Sequence, residues 1–188
     1  LGQTGLDALK GADILKTAPG KYHSTVEYAD TTIGQNLQGV AKVLLADLGT
    51  RIFNTQHIGY DTHASQGDFH PKLWTDLSQA ITDFYTDLKE HDAAENVLMF
   101  VFTEFGRRVK DNGAGTDHGS GGVAFAIGDP VMGGMYSEYP SLKSEELLEG
   151  DLHFNYDFRG AYSTLAERWL GLDPISVVSG NFEQLNFV

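Results

Sequence analysis

Asp61 and His63 stand two residues apart in the segment Gly59-Tyr60-Asp61-Thr62-His63. In an extended backbone that spacing points both side chains to one side, so a carboxylate and an imidazole can converge on one point. The pair suits a hard-to-borderline cation such as zinc, manganese or iron. The alternative is a loop aspartate capping a turn beside a solvated histidine. A second candidate group is Thr103-Glu104-Phe105-Gly106-Arg107. Glu104 ends an apolar run, where an ionised carboxylate is tolerated if it meets a cation, and the Arg107 guanidinium can grip an anion with two parallel hydrogen bonds. An internal Glu104–Arg107 ion pair is the competing reading. The third group is Asp117-His118 between glycines, one residue as a metal ligand and the other fixing its tautomer. Alone, it reads equally as a glycine-rich loop.

The elements that must carry these residues follow from hydrophobic spacing. Leu6, Leu9, Ile14 and Leu15 predict a short amphipathic helix ending before Pro19. Ile33, Leu37, Val40, Leu44 and Leu48 predict a second helix stopping at Gly49. Residues 51–58 read as a strand leading into Asp61 and His63. Leu73, Leu77, Ile81, Phe84 and Leu88 predict a long helix from Pro71 to Glu90. Val97 to Phe102 is a continuous apolar run, the pattern of a central parallel strand covered on both faces. Residues 103–122 read as a long loop, 123–127 as another strand, and 128–150 as irregular turns with a solvated acidic run. A last helix is expected from Asp157 to Gly171.

Strands alternating with long helices predict an α/β fold with a mostly parallel sheet flanked by helices, in one domain over residues 1–188. Ligands in such sheets bind beyond the carboxyl ends of strands, and each of the three candidate groups lies beside a predicted strand, Asp117-His118 just before one. His57 falls within the first strand, and His23, His70, His91 and His153 read as ordinary surface residues.

Composition narrows the partners. The chain of 188 residues carries 26 acidic against 13 basic residues, a formal charge of −13, which argues against nucleic acid or an anionic membrane as partner. Zero cysteine excludes disulfides, thiolate zinc sites and a cysteine nucleophile. No run approaches the length of a membrane span, and no signal peptide opens the chain. The glycines of residues 113–122 lack the lysine and spacing of a phosphate loop. Ser120 lacks the G-x-S-x-G turn of a hydrolase nucleophile.

Taken in order, Gly-Tyr-Asp-Thr-His at 59–63, Phe-Thr-Glu-Phe-Gly-Arg at 102–107, Gly-Thr-Asp-His-Gly at 115–119 and Tyr-Asp-Phe-Arg at 156–159 resemble the bacterial domain of unknown function 1501 family, itself similar to the alkaline phosphatase and sulfatase superfamily. The resemblance spans residues 25–175. It implies an alkaline-phosphatase-like layered architecture and a metal-dependent hydrolase-like protein acting on an anionic sulfate or phosphate ester, small or carried on a glycan. The implied cofactor is a divalent metal: zinc, manganese, calcium or magnesium. Asp61, His63, Glu104, Asp117 and His118 are the implied ligand set and Arg107 the implied substrate-binding residue. Phe105 stands where the superfamily has a ligand histidine, a departure that bears on a second metal. The nucleophile belongs to an amino-terminal segment in that superfamily, so the resemblance implies that these residues are the carboxyl-terminal part of a larger catalytic domain. It also implies a periplasmic or exported location. The alternative is a non-catalytic descendant that binds an anionic glycan or a protein.

Overall fold

Thr31 opens the first helix described: its backbone is extended and its hydroxyl accepts from the Gly34 N–H at 3.2 Å, satisfying one of the amide groups a helix start leaves without a partner. Helix α1 runs Thr32–Leu45 and buries Ile33, Leu37 and Ala41, spaced four apart on one face. The spacing carries the apolar stripe on to Leu48, but Asp47 adopts a left-handed φ of 50° and ends the helix before it. The computed structural model describes residues 22–188, so the helix expected over Leu6 to Leu15 lies outside the described residues.

Helix α2 runs Gln66–Glu90, starting five residues before Pro71. The added turn is held from outside. The Gln66 N–H donates to the Ala114 carbonyl, and the Gln66 amide exchanges hydrogen bonds of 3.1 and 3.2 Å with the Thr116 hydroxyl. Leu77, Ala80, Phe84 and Leu88 form the buried stripe of α2. Burying side chains as large as Phe84 or Leu88 contributes about 1.5–3 kcal/mol each.

Four short strands follow: β1 (Met99–Val101), β2 (Gly106–Asp111), β3 (Thr116–Gly119) and β4 (Phe125–Ile127). They form two separate two-stranded sheets, β1 with β4 and β2 with β3, both antiparallel. The expected mostly parallel, alkaline-phosphatase-like layered sheet is therefore overturned. Residues 51–58 enter no sheet. The run 97–102 pairs over only three residues, each half-buried, with Phe100 and Phe102 edge-on to Tyr162. Its unbroken apolar character reflects these aromatic contacts and not helices on both faces. The expected loop 103–122 is a hairpin. Asp111 and Asn112 side chains accept from the N–H groups of Gly113, Ala114 and Gly115, and these local bonds close the turn.

The carboxyl-terminal helix α3 (Phe158–Thr164) is capped by Asp157, which accepts from the Arg159 N–H at 2.9 Å. It continues as a π turn over Leu165–Trp169 and stops at Gly171, φ 67°. A short helix α4 (Pro174–Val178) follows, with Asp173 as its cap.

The described residues divide into two compact units: 22–61 with Asp68–Ala94, and Thr62–Gly67 with Glu95–Val188. In the first, buried polar groups of α2 tie down residues 22–29. Asp83 accepts from the Ala29 N–H, and Asp87 accepts from the phenols of Tyr22 and Tyr28. Burial and the Asp87 carboxylate push the Tyr22 phenol up to about 12 and raise that of Tyr28 further.

Candidate metal site

The β2–β3 hairpin of the second unit carries the site, and its register sets the first contacts. Arg107 pairs with His118, and Gly106 with Gly119. The two strands lie so close to residue 121 that a Cβ at Gly106 would run into the Gly121 carbonyl. The Phe105 ring stacks on the His118 imidazole, centroids 4.0 Å apart and planes 7° from parallel. The Arg107 guanidinium lies 4.8 Å from the same phenyl ring, and its Nη1 donates to the Thr116 carbonyl. Phe105 thus supplies a flat shelf that holds His118.

His63 reaches the hairpin because the turn contains glycine where the chain crosses it. A Cβ at Gly115 would meet the Thr62 carbonyl oxygen and lie 2.8 Å from the His63 carbonyl atoms. Asn112 Nδ2 donates both to the His63 carbonyl and to Asp117 Oδ1, each at 3.1 Å. The same Asp117 oxygen lies 3.1 Å from His63 Nδ1. That contact places the proton on Nδ1 and the lone pair on Nε2, the tautomer a metal-ligating imidazole needs. The His63 and His118 rings stand 4.8 Å apart.

The hydrogen bond from Asn112, then that from His63, hold the Asp117 carboxyl below the usual aspartate range, with Arg108 adding a smaller push in the same direction. Asp117 stays anionic and orients His63. Asp61 joins through the continuous backbone Asp61-Thr62-His63: one ligand atom each from Asp61, His63 and His118 lie within 4.8 Å of one another. All three residues are exposed. One carboxylate and two imidazoles form a donor set fitted to a borderline divalent cation, zinc before calcium or magnesium.

Glu104 does not converge with them. It is exposed, in the bend between β1 and β2, and is not among the residues whose ligand atoms approach within that distance. Asp117 is near the cluster as the partner of His63. Asn112 is the residue that sequence reading missed. Its signal was present as the Asn112-Gly113 dipeptide, a strong short-range hairpin mark. Phe105 was noticed for the histidine it replaces and not for the ring contact it makes.

Helices with small antiparallel sheets and an open carboxylate–imidazole cluster define an α+β protein with a candidate divalent-cation site. The chain belongs to the family described as Protein of unknown function (DUF1501), which matches residues 9–166 and so includes every residue of the cluster. No curated protein and no solved structure matches the chain.

Proposed function

We propose that Asp61, His63 and His118 hold one divalent metal ion, and that the protein is a metal-dependent hydrolase-like protein acting on an anionic phosphate or sulfate ester outside the cytoplasm. The observation that carries the metal reading is the convergence of the three ligand atoms within 4.8 Å while Asp117 fixes the His63 tautomer. What a bound divalent cation supplies is Lewis-acid polarisation of the ester. In this reading Arg107 holds a non-bridging oxygen. Its Nη1 donates to the Thr116 carbonyl, and its guanidinium lies 4.8 Å from the Phe105 ring, which steadies its plane. The choice of ester rests on the likeness of the ordered motifs to the alkaline phosphatase and sulfatase superfamily, and not on the fold.

A second reading, a non-catalytic protein that binds an anionic glycan or a partner, is favoured by Phe105. Phe105 stands where the resembled superfamily has a ligand histidine, and here its ring stacks on His118 and offers no donor for a second ion. One experiment separates the elements of the proposal. Chelator-stripped protein is titrated with zinc and with manganese, beside Asp61→Ala, His118→Ala and Glu104→Gln, and each is then offered aryl phosphate and aryl sulfate. Stoichiometric binding lost in the first two variants and kept in the third supports the site. No binding by the wild type overturns it. Binding without turnover overturns the hydrolase reading and leaves the second.

A further inference from the structure

The ribbon that carries His118 is two strands wide, and two strands alone are marginally stable in water. Its turn end is held by Asn112 on the His63 carbonyl. Its open end begins at Gly119, one residue past His118, and is held by a different residue.

That residue is Asp151, the last of the acidic run Glu145, Glu146, Glu149 and Asp151. The sequence reads this run as a solvated face, yet Asp151 is half-buried and each of its carboxylate oxygens accepts a backbone N–H. Oδ2 accepts from Ser120 at 2.9 Å and Oδ1 from Leu152 at 2.7 Å. A carboxylate only accepts, so two converging N–H donors suit it. A tight turn delivers the side chain. Leu148 and Asp151 exchange backbone hydrogen bonds of 3.0 and 2.9 Å across Glu149 and Gly150, whose φ values of 53° and 82° are the left-handed pair that a two-residue turn requires. The Ser120 hydroxyl adds a second link by donating to the Leu152 carbonyl at 2.7 Å. A Cβ at Gly119 would run into Asp151 Oδ1, and one at Gly121 would lie 2.6 Å from Leu152 Cβ.

We propose that Asp151 is a positioning residue of the candidate metal site: its carboxylate pins the strand end next to His118 and so sets where the His118 imidazole stands. The consequence for metal binding rests on the reading of His118 as a ligand. The hold on the strand end does not, and it is visible in metal-free protein. The His118 ring lies over the face of Phe105, centroids 4.0 Å apart, where the ring current moves its proton resonances upfield. A strand end that lifts from residue 151 carries His118 off that face.

The His118 ring resonances are compared in metal-free wild type, Asp151→Ala, Asp151→Asn and Glu145→Gln, and zinc is then titrated into each. In Asp151→Ala the resonances should move downfield and zinc affinity should fall by about tenfold, the lower end of the range for loss of a group that supports a ligand histidine. Asp151→Asn keeps the shape but turns an amide NH2 toward one of the two N–H donors, so it should shift both readouts in the same sense by less. It decides the matter where the alanine variant fails to fold. Glu145→Gln removes the same charge from an exposed position and should leave both readouts unchanged. Unmoved resonances in both Asp151 variants, an equal effect from Glu145→Gln, or moved resonances with the wild-type zinc affinity retained overturn the proposal. A wild type that binds no zinc overturns the metal reading instead, and moved resonances then still support Asp151 as the residue that places His118.

Discussion

His63 Nδ1 lies 3.1 Å from Asp117 Oδ1, although the whole of α2, β1 and the first strand of the hairpin lie between the two residues in the chain. The contact is closed from two directions. Asn112 binds the same carboxylate oxygen and also the His63 carbonyl, so one amide fixes both the acceptor and the backbone of the donor. An exposed hydrogen bond is worth little as stability. Its consequence is orientation, and orientation is what a ligand imidazole requires.

The first prediction removes that orientation without touching a proposed ligand. Asp117→Ala leaves Asp61, His63 and His118 in place but lets the His63 ring turn and exchange tautomers. Metal affinity should fall by about 10–100-fold, the range for loss of a group that hydrogen-bonds a ligand histidine. Ring-nitrogen chemical shifts of His63 in the metal-free protein should move from one tautomer toward a mixture. Unchanged shifts with unchanged affinity would show that Asp117 does not orient the ring.

Gly115→Ala tests the crossing of residues 62–63 over the hairpin turn. The added methyl would overlap the Thr62 carbonyl oxygen, a backbone atom that cannot swing aside. Relief requires the segment to lift from the turn, with a cost of about 1–3 kcal/mol as for other overpacked sites. His63 should leave Asp117 and His118, so metal binding should weaken together with stability in denaturant titration. Gly133→Ala, where a Cβ would meet nothing within 4 Å, is the control and should leave metal binding unchanged.

His91 gives a prediction in pH. Its Nδ1 lies 2.8 Å from the Asp87 carbonyl and its Nε2 2.8 Å from the His23 carbonyl. Both neighbours only accept, so both ring nitrogens must donate, which is the imidazolium form. The carbonyl of Asp87 is the main cause of a raised His91 value; partial burial opposes it, and the His23 carbonyl and the carboxylates of Asp87 and Glu90 add to it. The fully buried Asp87 carboxylate, whose Oδ2 accepts from Tyr22 and Tyr28, has Oδ1 3.3 Å from Nδ1. Because the folded value is raised above 6.5, the stabilisation is fully present below that pH and is lost as pH rises through the folded value. Unfolding free energy measured from about pH 6 to about pH 9 should decline in the wild type and show less decline in His91→Gln. Equal slopes would remove His91 from the account.

The parts of this fold legible in the sequence were those set by local spacing. Thr31 as a cap, the Leu77–Phe84–Leu88 stripe and Asp157 before the last helix are short-range signals that tertiary contacts did not override. Pairing was not legible, because the apolar run at 97–102 looks the same whether its cover is a pair of helices or Tyr162, and no local feature gave the antiparallel partner at 125–127. Asp61, His63 and His118 were marked by residue type and position. Their support Asn112 was harder to see, because it acts through the turn it closes. The same holds in the first unit for His91, which acts through carbonyl oxygens 4 and 68 residues away.

One helix offers two glycines with opposite expectations. Gly39 lies in the exposed middle of α1, and a Cβ there would meet nothing within 4 Å. Gly39→Ala should stabilise the protein by about 0.5–1 kcal/mol, because alanine loses less backbone freedom on entering a helix. Gly34, one turn earlier, is buried against the chain that enters the helix. A Cβ there would overlap the Ala29 carbonyl oxygen and lie 3.1 Å from the Thr31 hydroxyl that caps α1. The Ala29 carbonyl is already fixed by the Thr31 N–H at 2.8 Å, so it has nowhere to retreat. Gly34→Ala should therefore destabilise by about 1–3 kcal/mol despite the same gain in helix propensity. Thermal unfolding of the two variants side by side decides it: midpoints that both rise would show that the entry to α1 yields to a methyl group and that the Thr31 cap does not depend on the close approach of residues 29 and 34.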